Sequence, residues 1–347
     1  MKILKLPLLA LESVLLNCEL CDLVQFTFLS KRCFHIAMRM KTPLAVLDID
    51  VSKRFVKCIV RFGKVKKFEW WHYCEENRLR RVSVASIGHR QIETLQFKGR
   101  IFSMKEANDE ECAKEITNYL EALFHCSIRV VSLFPDDIIA PQRSMLTFYN
   151  ECQKIYMEGK QKMTYDELWD ILENWKPSEK IMINLKIDGE NKKLLKWTSP
   201  KSLSIYGHSQ WINIDMLLNL ECINLFDCGL TENDIKVFIN HWFHSAGTHF
   251  RRMELRWVFP AMNDLTFETL DLEIPLMPYS KERRNRNHIC SPFRAINCED
   301  GMDILRGDGL LATVKIFHLF FYFCVWHDRF PDMTGIHIMY PYEPPRV

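Results

Sequence analysis

The chain has 347 residues, of which 48% are hydrophobic and 26% are charged, a composition typical of globular proteins. Its 46 basic and 44 acidic side chains nearly cancel, which argues against a protein that binds nucleic acid mainly by neutralising phosphates. The 13 cysteines are dispersed from Cys18 to Cys324 without the pattern of a small secreted disulfide framework. We therefore expect an intracellular protein of about two or three domains, located in the cytoplasm or the nucleus.

Two apolar segments have some features of membrane signals. The first ends near Leu16, and a signal peptide is one alternative for it. Because Pro7 and Glu12 interrupt the apolar run, we favour the helix described next. The second, residues 316–326, is shorter than the roughly 20 residues that a membrane-spanning helix needs. We interpret it as one buried strand, and we expect no association with a membrane.

Three short helices are predicted near the N-terminus. The first begins after Pro7, a residue suited to the first helical turn, the second is predicted to be capped by Asp22, and the third by Ser30. Helical spacing places the following side chains on apolar stripes: Leu8, Leu11, Leu15, Leu23, Phe26, Cys33, Ala37 and Met40. Three helices of this length bury too little surface to enclose a core of their own, so their apolar faces need a partner.

This helical segment resembles the F-box, particularly the version found in nematode F-box proteins. The resemblance is carried by L-P-L-L-A-L-E-S-V-L-L at 6–16, D-L-V-Q-F at 22–26 and L-S-K-R-C-F-H-I at 29–36. The chain departs from the general pattern at Cys33, where the family usually has tryptophan, and at Leu20-Cys21, where proline is frequent.

The resemblance implies that the helices bind the SKP-type adaptor of an SCF ubiquitin ligase and, through it, the cullin. The side chains that it implies for the adaptor contact are Leu6, Pro7, Leu8, Leu11, Leu15, Leu23, Phe26, Leu29 and Ile36. The alternative is a helical cap that packs on the protein's own core.

Beyond residue 43 the pattern changes from helical spacing to short apolar or alternating runs. Strands are predicted at 47–51, 55–62, 68–71, 79–84, 94–97 and 129–134, and an amphipathic helix at about 109–126. Residues 43–160 are therefore expected to form a mixed strand and helix region.

A second region begins near residue 161. Thr164 and Glu167 form a capping-box pattern for a helix that is expected to run to about Trp175. Strand-like runs follow at 180–187, 202–206, 221–226 and 252–258, at intervals of very roughly 20 to 30 residues, the range of leucine-rich repeats. Gly229 permits a turn after the third run, Thr231 is predicted to cap the next helix, and residues 307–309 are typical of a hairpin turn.

Three blocks of this region, at 220–242, 253–257 and 302–314, resemble the type 2 F-box-associated domain of nematode F-box proteins, and the likeness extends from about 175 to 326. The expected fold is therefore mixed α/β, with a three-helix F-box followed by an α/β domain of irregular units like leucine-rich repeats. The expected divisions are an F-box at 1–42, the mixed region at 43–160, the F-box-associated domain at 161–330 and a C-terminal tail at 331–347. The resemblance implies a substrate receptor of an SCF ligase that binds a protein target.

Neither a cofactor nor a catalytic residue is predicted. The group Cys222, Cys228, His241 and His244 has twelve residues between its second and third members, as in a zinc finger, but the other spacings do not fit, so no metal site is expected. Cys18-x-x-Cys21 lacks a second cysteine pair and bridges two predicted helices.

The run K-E-R-R-N-R at 281–286 is predicted to form an exposed loop. It supports an alternative function, that of an RNA-binding or scaffold protein without ligase association, in which Arg283, Arg284 and Arg286 would contact RNA. A third alternative is an enzyme whose active site is assembled from residues distant in the sequence.

Overall fold

The computed structural model describes residues 3–40, 44–52, 55–63, 66–73, 83–104, 110–134, 149, 151–188, 200–209, 211–257, 265–292, 294–336 and 338–339. The fold is mixed α/β. The chain divides into two compact units: residues 1–161 with 171–178, and residues 162–170 with 179–347. The first unit contains the predicted F-box helices and the mixed region together.

Within the described residues, the first unit begins with three helices, continues with six strands and ends with a fourth helix and two further strands. Its helices are α1 (Leu8–Asn17), α2 (Leu20–Phe28), α3 (Lys31–Arg39) and α4 (Glu110–Phe124). Its strands are β1 (Ala45–Val51), β2 (Phe55–Phe62), β3 (Lys66–Tyr73), β4 (Ser83–Ile87), β5 (Arg90–Phe97), β6 (Arg100–Met104), β7 (Ile128–Leu133) and β8 (Lys154–Thr164).

These strands lie in the order β8-β7-β1-β2-β3-β6-β5-β4. β1 pairs in parallel with β7 and antiparallel with β2. The apolar stripe of α4 packs on one face of this sheet, where the Phe124 ring lies 5.4 Å from the Phe62 ring and 6.5 Å from the Phe68 ring. Alternation along the strands therefore places one face in a core and leaves the other for polar side chains.

The helix α5 (Tyr165–Asn174) begins in the second unit. The other helices of this unit are α6 (Glu232–His244) and α7 (Phe267–Leu270). Its strands are β9 (Lys180–Asp188), β10 (Ser202–Ser209), β11 (Cys222–Cys228), β12 (Arg252–Arg256), β13 (Met277–Pro278), β14 (Asn287–Ser291), β15 (Arg294–Asn297), β16 (Met302–Leu305), β17 (Leu311–Phe317), β18 (Phe320–Trp326) and β19 (Ile338–Met339).

The second unit contains a sheet in the order β9-β10-β11-β12-β18-β17-β16-β13 and a three-stranded sheet in the order β14-β15-β19. β9, β10, β11 and β12 are parallel neighbours, and β18 runs antiparallel to β12. Helix α6 packs on one face, with the Phe323 ring 5.0 Å from the Trp242 ring and 6.0 Å from the Phe238 ring. A second cluster of buried side chains includes Ile296, Cys298 and Trp326.

Most of the predicted helix caps are confirmed. Ser30 accepts a hydrogen bond from the Cys33 amide, and Thr231 forms a capping box with Asp234. Thr164 and Glu167 form the predicted reciprocal pair, with the Thr164 amide 2.9 Å from a Glu167 carboxylate oxygen.

The cap predicted at Asp22 is wrong. Helix α2 begins three residues earlier than this cap predicts, at Leu20, and Asp22 lies in its first turn. An acidic side chain is favourable both at the cap and within the first turn of a helix, so its presence alone does not fix where the helix begins. Burial of Cys21, which is 2% exposed, favours the earlier start.

The single buried strand predicted at 316–326 is also wrong. The segment contains the end of β17, a turn at His318 and Leu319, and β18, which form an antiparallel hairpin. His318 adopts a positive φ of 51° in that turn. Because the run is apolar on both sides of the turn, hydrophobic periodicity gave no signal for it.

The hairpin predicted at 307–309 is confirmed, since Leu305 pairs with Leu311 across it. The four strand-like runs of the predicted repeats form parallel neighbours, but the connections differ: a short 3-10 turn lies between β10 and β11 and a 13-residue helix between β11 and β12. Regular leucine-rich repeats are therefore not confirmed. The sequence prediction missed β6 and β8, and residues 79–82 of one predicted strand lie outside the described residues.

No helix in the described part of the chain combines the length and the apolar character needed to cross a bilayer.

Candidate functional site: the N-terminal helical surface

Helices α2 and α3 are attached to the sheet and to α4 of their own unit. The Thr27 and Tyr119 hydroxyls form a hydrogen bond, and the Phe34 ring stacks on the Tyr119 ring at 5.2 Å. The Phe28 ring meets the Trp70 ring edge to face at 5.8 Å. These contacts hold α2 and α3 by one face, so the helices are not a free module.

A second set of polar contacts fixes the same helices at their ends. Nε2 of His125, in the residue after α4, lies 2.5 Å from the Met38 carbonyl near the end of α3. The Gln96 amide donates to the Asp22 carboxylate at 3.3 Å. Contacts of this kind set the orientation of α2 and α3 on the unit that carries them.

The nine side chains implied by the F-box resemblance divide into two sets. Four are buried against the first unit: Leu11 (2% exposed), Leu15 (3%), Leu23 (3%) and Phe26 (8%). Pro7, Leu8 and Leu29 are exposed, whereas Leu6 and Ile36 are half-buried. The expectation that the whole apolar face lacks cover within the protein is therefore wrong for the buried four.

The outer surface of the helices nevertheless exposes many large apolar side chains. Of the thirteen large hydrophobic residues that are exposed in the described part of the chain, six lie between residues 4 and 29. We call this set the outer apolar surface: Leu4, Leu8, Leu9, Val14, Leu16 and Leu29, with exposures of 37, 57, 80, 40, 41 and 74%. Such a concentration is typical of an interaction surface.

Sequence analysis assigned only Leu8 and Leu29 of this set to the contact. It missed Leu9 and Leu16, which lie on the side of α1 away from Leu11 and Leu15. A signal was present, because α1 has leucine or valine around nearly its whole circumference, and a helix that is apolar all round needs cover on more than one face.

A polar cleft of about 500 Å³ lies where α1 meets α2 in the first unit. Glu69 at its wall accepts from Lys67 and Arg100, each at 2.9 Å. Burial favours a higher pKa for Glu69, but hydrogen bonds from Lys67 and Trp71 outweigh it and the pKa lies below its usual value. The carboxylate is therefore charged at neutral pH and already paired.

Cys18 and Cys21 border this cleft, but their environment does not favour thiol chemistry. Burial and the nearby Asp22 carboxylate raise the pKa of Cys21 to about 11. Since the thiolate is the reactive form of cysteine, this side chain is mostly protonated and weakly nucleophilic at neutral pH.

The histidines of the tested zinc pattern lie in the last turn of α6, and Cys222 is half-buried in β11. Burial raises the pKa of Cys222. The Cys228 side chain lies outside the described residues, and among those that are described no group of three or more histidine, cysteine or acidic side chains is arranged to hold a metal ion.

The basic run at 281–286 forms a turn, as the sequence predicts, but only Lys281, Glu282 and Arg286 of it are exposed. Arg284 is 0% exposed, its Nε donates to the Asp303 carboxylate at 2.7 Å, and one terminal nitrogen donates to the Cys298 carbonyl at 2.8 Å. Its guanidinium also lies within 5 Å of the Tyr279 and Trp326 rings. Arg284 is therefore not accessible to RNA, and its contacts stabilise the core of the second unit instead.

The comparisons with known proteins support the family suggested by the sequence. A family model described as F-box associated matches residues 193–255. An uncharacterized protein of Caenorhabditis elegans is 24% identical over 354 residues, covering 95% of this chain and 80% of the relative. No solved structure matches the chain significantly. The matched residues include β10, β11 and α6 and end within β12. Residues 193–255 are therefore similar to the F-box-associated family, and the chain is similar over most of its length to a nematode protein, in agreement with the resemblance seen in the sequence.

Proposed function

We propose that the chain is the substrate-recognition subunit of an SCF-type ubiquitin ligase. In this function the N-terminal helices bind an SKP-type adaptor, which links them to the cullin, and the second unit binds a protein target. The observation that carries the proposal is the outer apolar surface, which lies on the three helices that fit an F-box-like start. The F-box-associated match in the second unit supports it from another part of the chain.

The divided placement of the F-box side chains suits this function. Leu11, Leu15, Leu23 and Phe26 fix the helices to the first unit, and Leu8, Leu9 and Leu29 remain free to enter a groove of the adaptor. Burying a leucine side chain is worth about 1.5–3 kcal/mol, so a few such side chains supply much of the energy of a standard interface of roughly 800 Å² per partner. The chain forms and breaks no bonds itself, but raises the local concentration of its target near the ligase. Its place of action is then the cytoplasm or the nucleus.

Co-expression of the full chain with nematode SKP-type adaptors, followed by affinity capture, tests the proposal. We expect Leu8→Asp combined with Leu29→Asp to abolish capture of the adaptor, because two charges would enter an apolar contact. The melting temperature should stay close to that of the wild type, since both side chains are already in solvent.

Val237→Asp is the matched control, because Val237 is 42% exposed on α6 in the second unit. It should leave capture of the adaptor unchanged. Capture that persists in the double variant, or that fails with the wild-type chain and every adaptor, contradicts the proposed function.

A further inference from the structure

A row of large side chains crosses the sheet of the second unit at the carboxyl ends of its parallel strands. The register pairs Tyr206 of β10 with Phe226 of β11, Phe226 with Arg256 of β12, and Arg256 with Phe320 of β18. Phe320 in turn pairs with Phe317 of β17. We call these five residues the aromatic row. Directly paired residues point to the same face of a sheet, so the row forms one line of side chains.

Side-chain contacts support this alignment. The Tyr206 and Phe226 rings stack at 4.9 Å with an interplanar angle of 27°, and the Arg256 guanidinium lies 5.4 Å from the centre of the Phe320 ring. Tyr206 is 39% exposed, Arg256 is exposed, and the three phenylalanines are half-buried. The row is therefore partly accessible to solvent, most of all at Tyr206 and Arg256.

The opposite face of the same strands is fully packed. The neighbours of the row along the chain, Ile205, Leu225, Leu255 and Phe321, are each 0% exposed and lie on the face covered by α6. The row thus lies on the face opposite α6, at the border of the second cluster of buried side chains, against which Phe320 packs. Aromatic side chains on a rigid strand lose little entropy when a ligand covers them.

The end of β10, directly after Tyr206, departs from regular strand pairing. The pairing of β10 with β11 shifts between Tyr206 and Ser209, and the Ser209 hydroxyl donates to the Phe226 carbonyl at 3.1 Å. Gly207 lies at this irregularity with φ of +153°, and a Cβ there would meet the Leu185 carbonyl oxygen at 3.1 Å. Irregularities of this kind redirect the strand beside them and are frequent next to functional sites.

Arg256 differs from the neighbouring cations, which are buried or paired: Arg252, on the same strand, is 9% exposed and donates to the Asn224 amide oxygen at 3.2 Å. Arg294 pairs with Glu254 at 2.8 Å, and Lys315 pairs with Asp300. Within the described part of the chain, Arg256 contacts the Phe320 ring and forms no ion pair. The row therefore presents one positive charge between aromatic surfaces.

This charge pattern favours a peptide over a nucleic acid. A nucleic acid bound through its backbone needs several cations that follow the phosphates, whereas the row has one. A single carboxylate flanked by apolar side chains matches a single arginine flanked by aromatic rings.

We propose that the aromatic row is a docking site for an extended segment of a target protein. An acidic residue of that segment pairs with Arg256, and aromatic or aliphatic residues on both sides of it cover Tyr206 and Phe320. This assignment rests on the proposed function in one respect: the bound protein is a target of the ligase only if the chain is a ligase subunit. The peptide-binding property itself belongs to the second unit and is measurable without the adaptor.

Selection of a random linear dodecapeptide display library on the immobilised full chain tests the proposal. We expect enrichment of sequences that contain aspartate or glutamate flanked by aromatic or aliphatic residues. For a synthetic copy of the enriched peptide, Arg256→Glu should weaken binding about tenfold or more, as replacing attraction by repulsion costs at least about 1.4 kcal/mol. Phe226→Ala should weaken it through the lost contact area, and Arg286→Glu, the same charge change at another exposed arginine, should leave it unchanged.

Three outcomes overturn the assignment: no enriched sequence, an enriched sequence that lacks an acidic residue, or equal binding by the wild type and Arg256→Glu. Binding of a single-stranded oligouridylate that depends on Arg256 would also overturn it in favour of RNA. Capture of the adaptor by Arg256→Glu shows that the N-terminal surface is intact, and a melting temperature close to that of the wild type shows that the variant is folded, so this test is separate from that of the proposed function. If the wild-type chain selects a peptide but captures no adaptor, the aromatic row is a peptide-binding site and the proposed ligase function is wrong.

Discussion

The N-terminal helices and the basic run of the second unit place their side chains in opposite ways. Leu9 of α1 is 80% exposed, whereas Arg284 is 0% exposed. The arginine is buried because each part of its guanidinium finds a partner, in Asp303, the Cys298 carbonyl and two aromatic rings. The leucine is exposed because other leucines of α1 already fill the contact with the unit beneath.

The comparison of Leu9 with Arg284 shows that side-chain polarity does not by itself decide which residues of this protein are buried. A charged group is buried where geometry satisfies its hydrogen bonds, and an apolar group stays exposed where a short helix has more leucines than its support can cover. The exposed leucines are typical of an interaction surface, whereas the buried arginine stabilises the fold.

The largest effect on stability is expected for Arg284→Met. Removing the guanidinium leaves the Asp303 carboxylate, itself 0% exposed, without its closest charged partner, and we expect a loss of about 3–5 kcal/mol in the free energy of unfolding. Urea denaturation of the full chain measures this loss. Arg286→Met, at an exposed position of the same run, should stay within about 0.5 kcal/mol of the wild type. A loss below about 1 kcal/mol for Arg284→Met would remove the contrast between the two arginines.

The second prediction separates the inner and outer leucines of α1. Leu11→Ala should cost about 2–5 kcal/mol, because it opens a cavity beneath the helix, whereas Leu9→Ala should change stability by less than about 0.5 kcal/mol. Thermal unfolding of the two variants side by side gives the comparison. Equal costs would show that α1 is not held as described.

The third prediction concerns pH and a buried histidine near Arg284. Burial lowers the pKa of His288 from 6.5 to about 4, repulsion from Arg252, His327 and Arg284 adds to the shift, and the hydrogen bond to the Val325 carbonyl opposes it. As the pH falls from 6.5 towards 4, the unfolded chain binds a proton that the folded chain excludes. Stability should therefore fall by about 3 kcal/mol across that window and stay level above it.

Denaturation at several pH values measures this slope, and His288→Gln provides the control. Glutamine keeps a donor for the Val325 carbonyl but does not titrate, so the slope between pH 4 and 6.5 should become smaller. The same slope in the variant would assign the pH dependence to other groups.

Much of the fold follows from local signals in the sequence. Ser30, Thr164 and Thr231 cap helices as predicted because a cap depends on the amides of the next three residues alone. The start of α2 and the turn within 316–326 were mispredicted because several positions satisfied the local rules equally well. Strands β6 and β8 were missed, since β-structure depends on pairing with distant strands.

The candidate site divides in the same way. The F-box resemblance located the three helices and Leu8 and Leu29 at their surface, but periodicity identifies an apolar stripe without saying which protein covers it. Which face of α2 and α3 is buried depends on the contacts that these helices make with α4 and β3, through Tyr119 and Trp70.

The sequence by itself determined the helix caps at Ser30, Thr164 and Thr231, the apolar stripes and the resemblance of part of the second unit to an F-box-associated domain, because each depends on neighbouring residues or on a continuous motif. Only the tertiary structure decided which leucines remain in solvent, that Arg284 pairs with Asp303, and that Tyr206, Phe226 and Arg256 share one line across three strands. These features join residues between 19 and 50 positions apart in the chain. Strand register and three-dimensional packing bring such residues together, and neither is encoded in any single short segment.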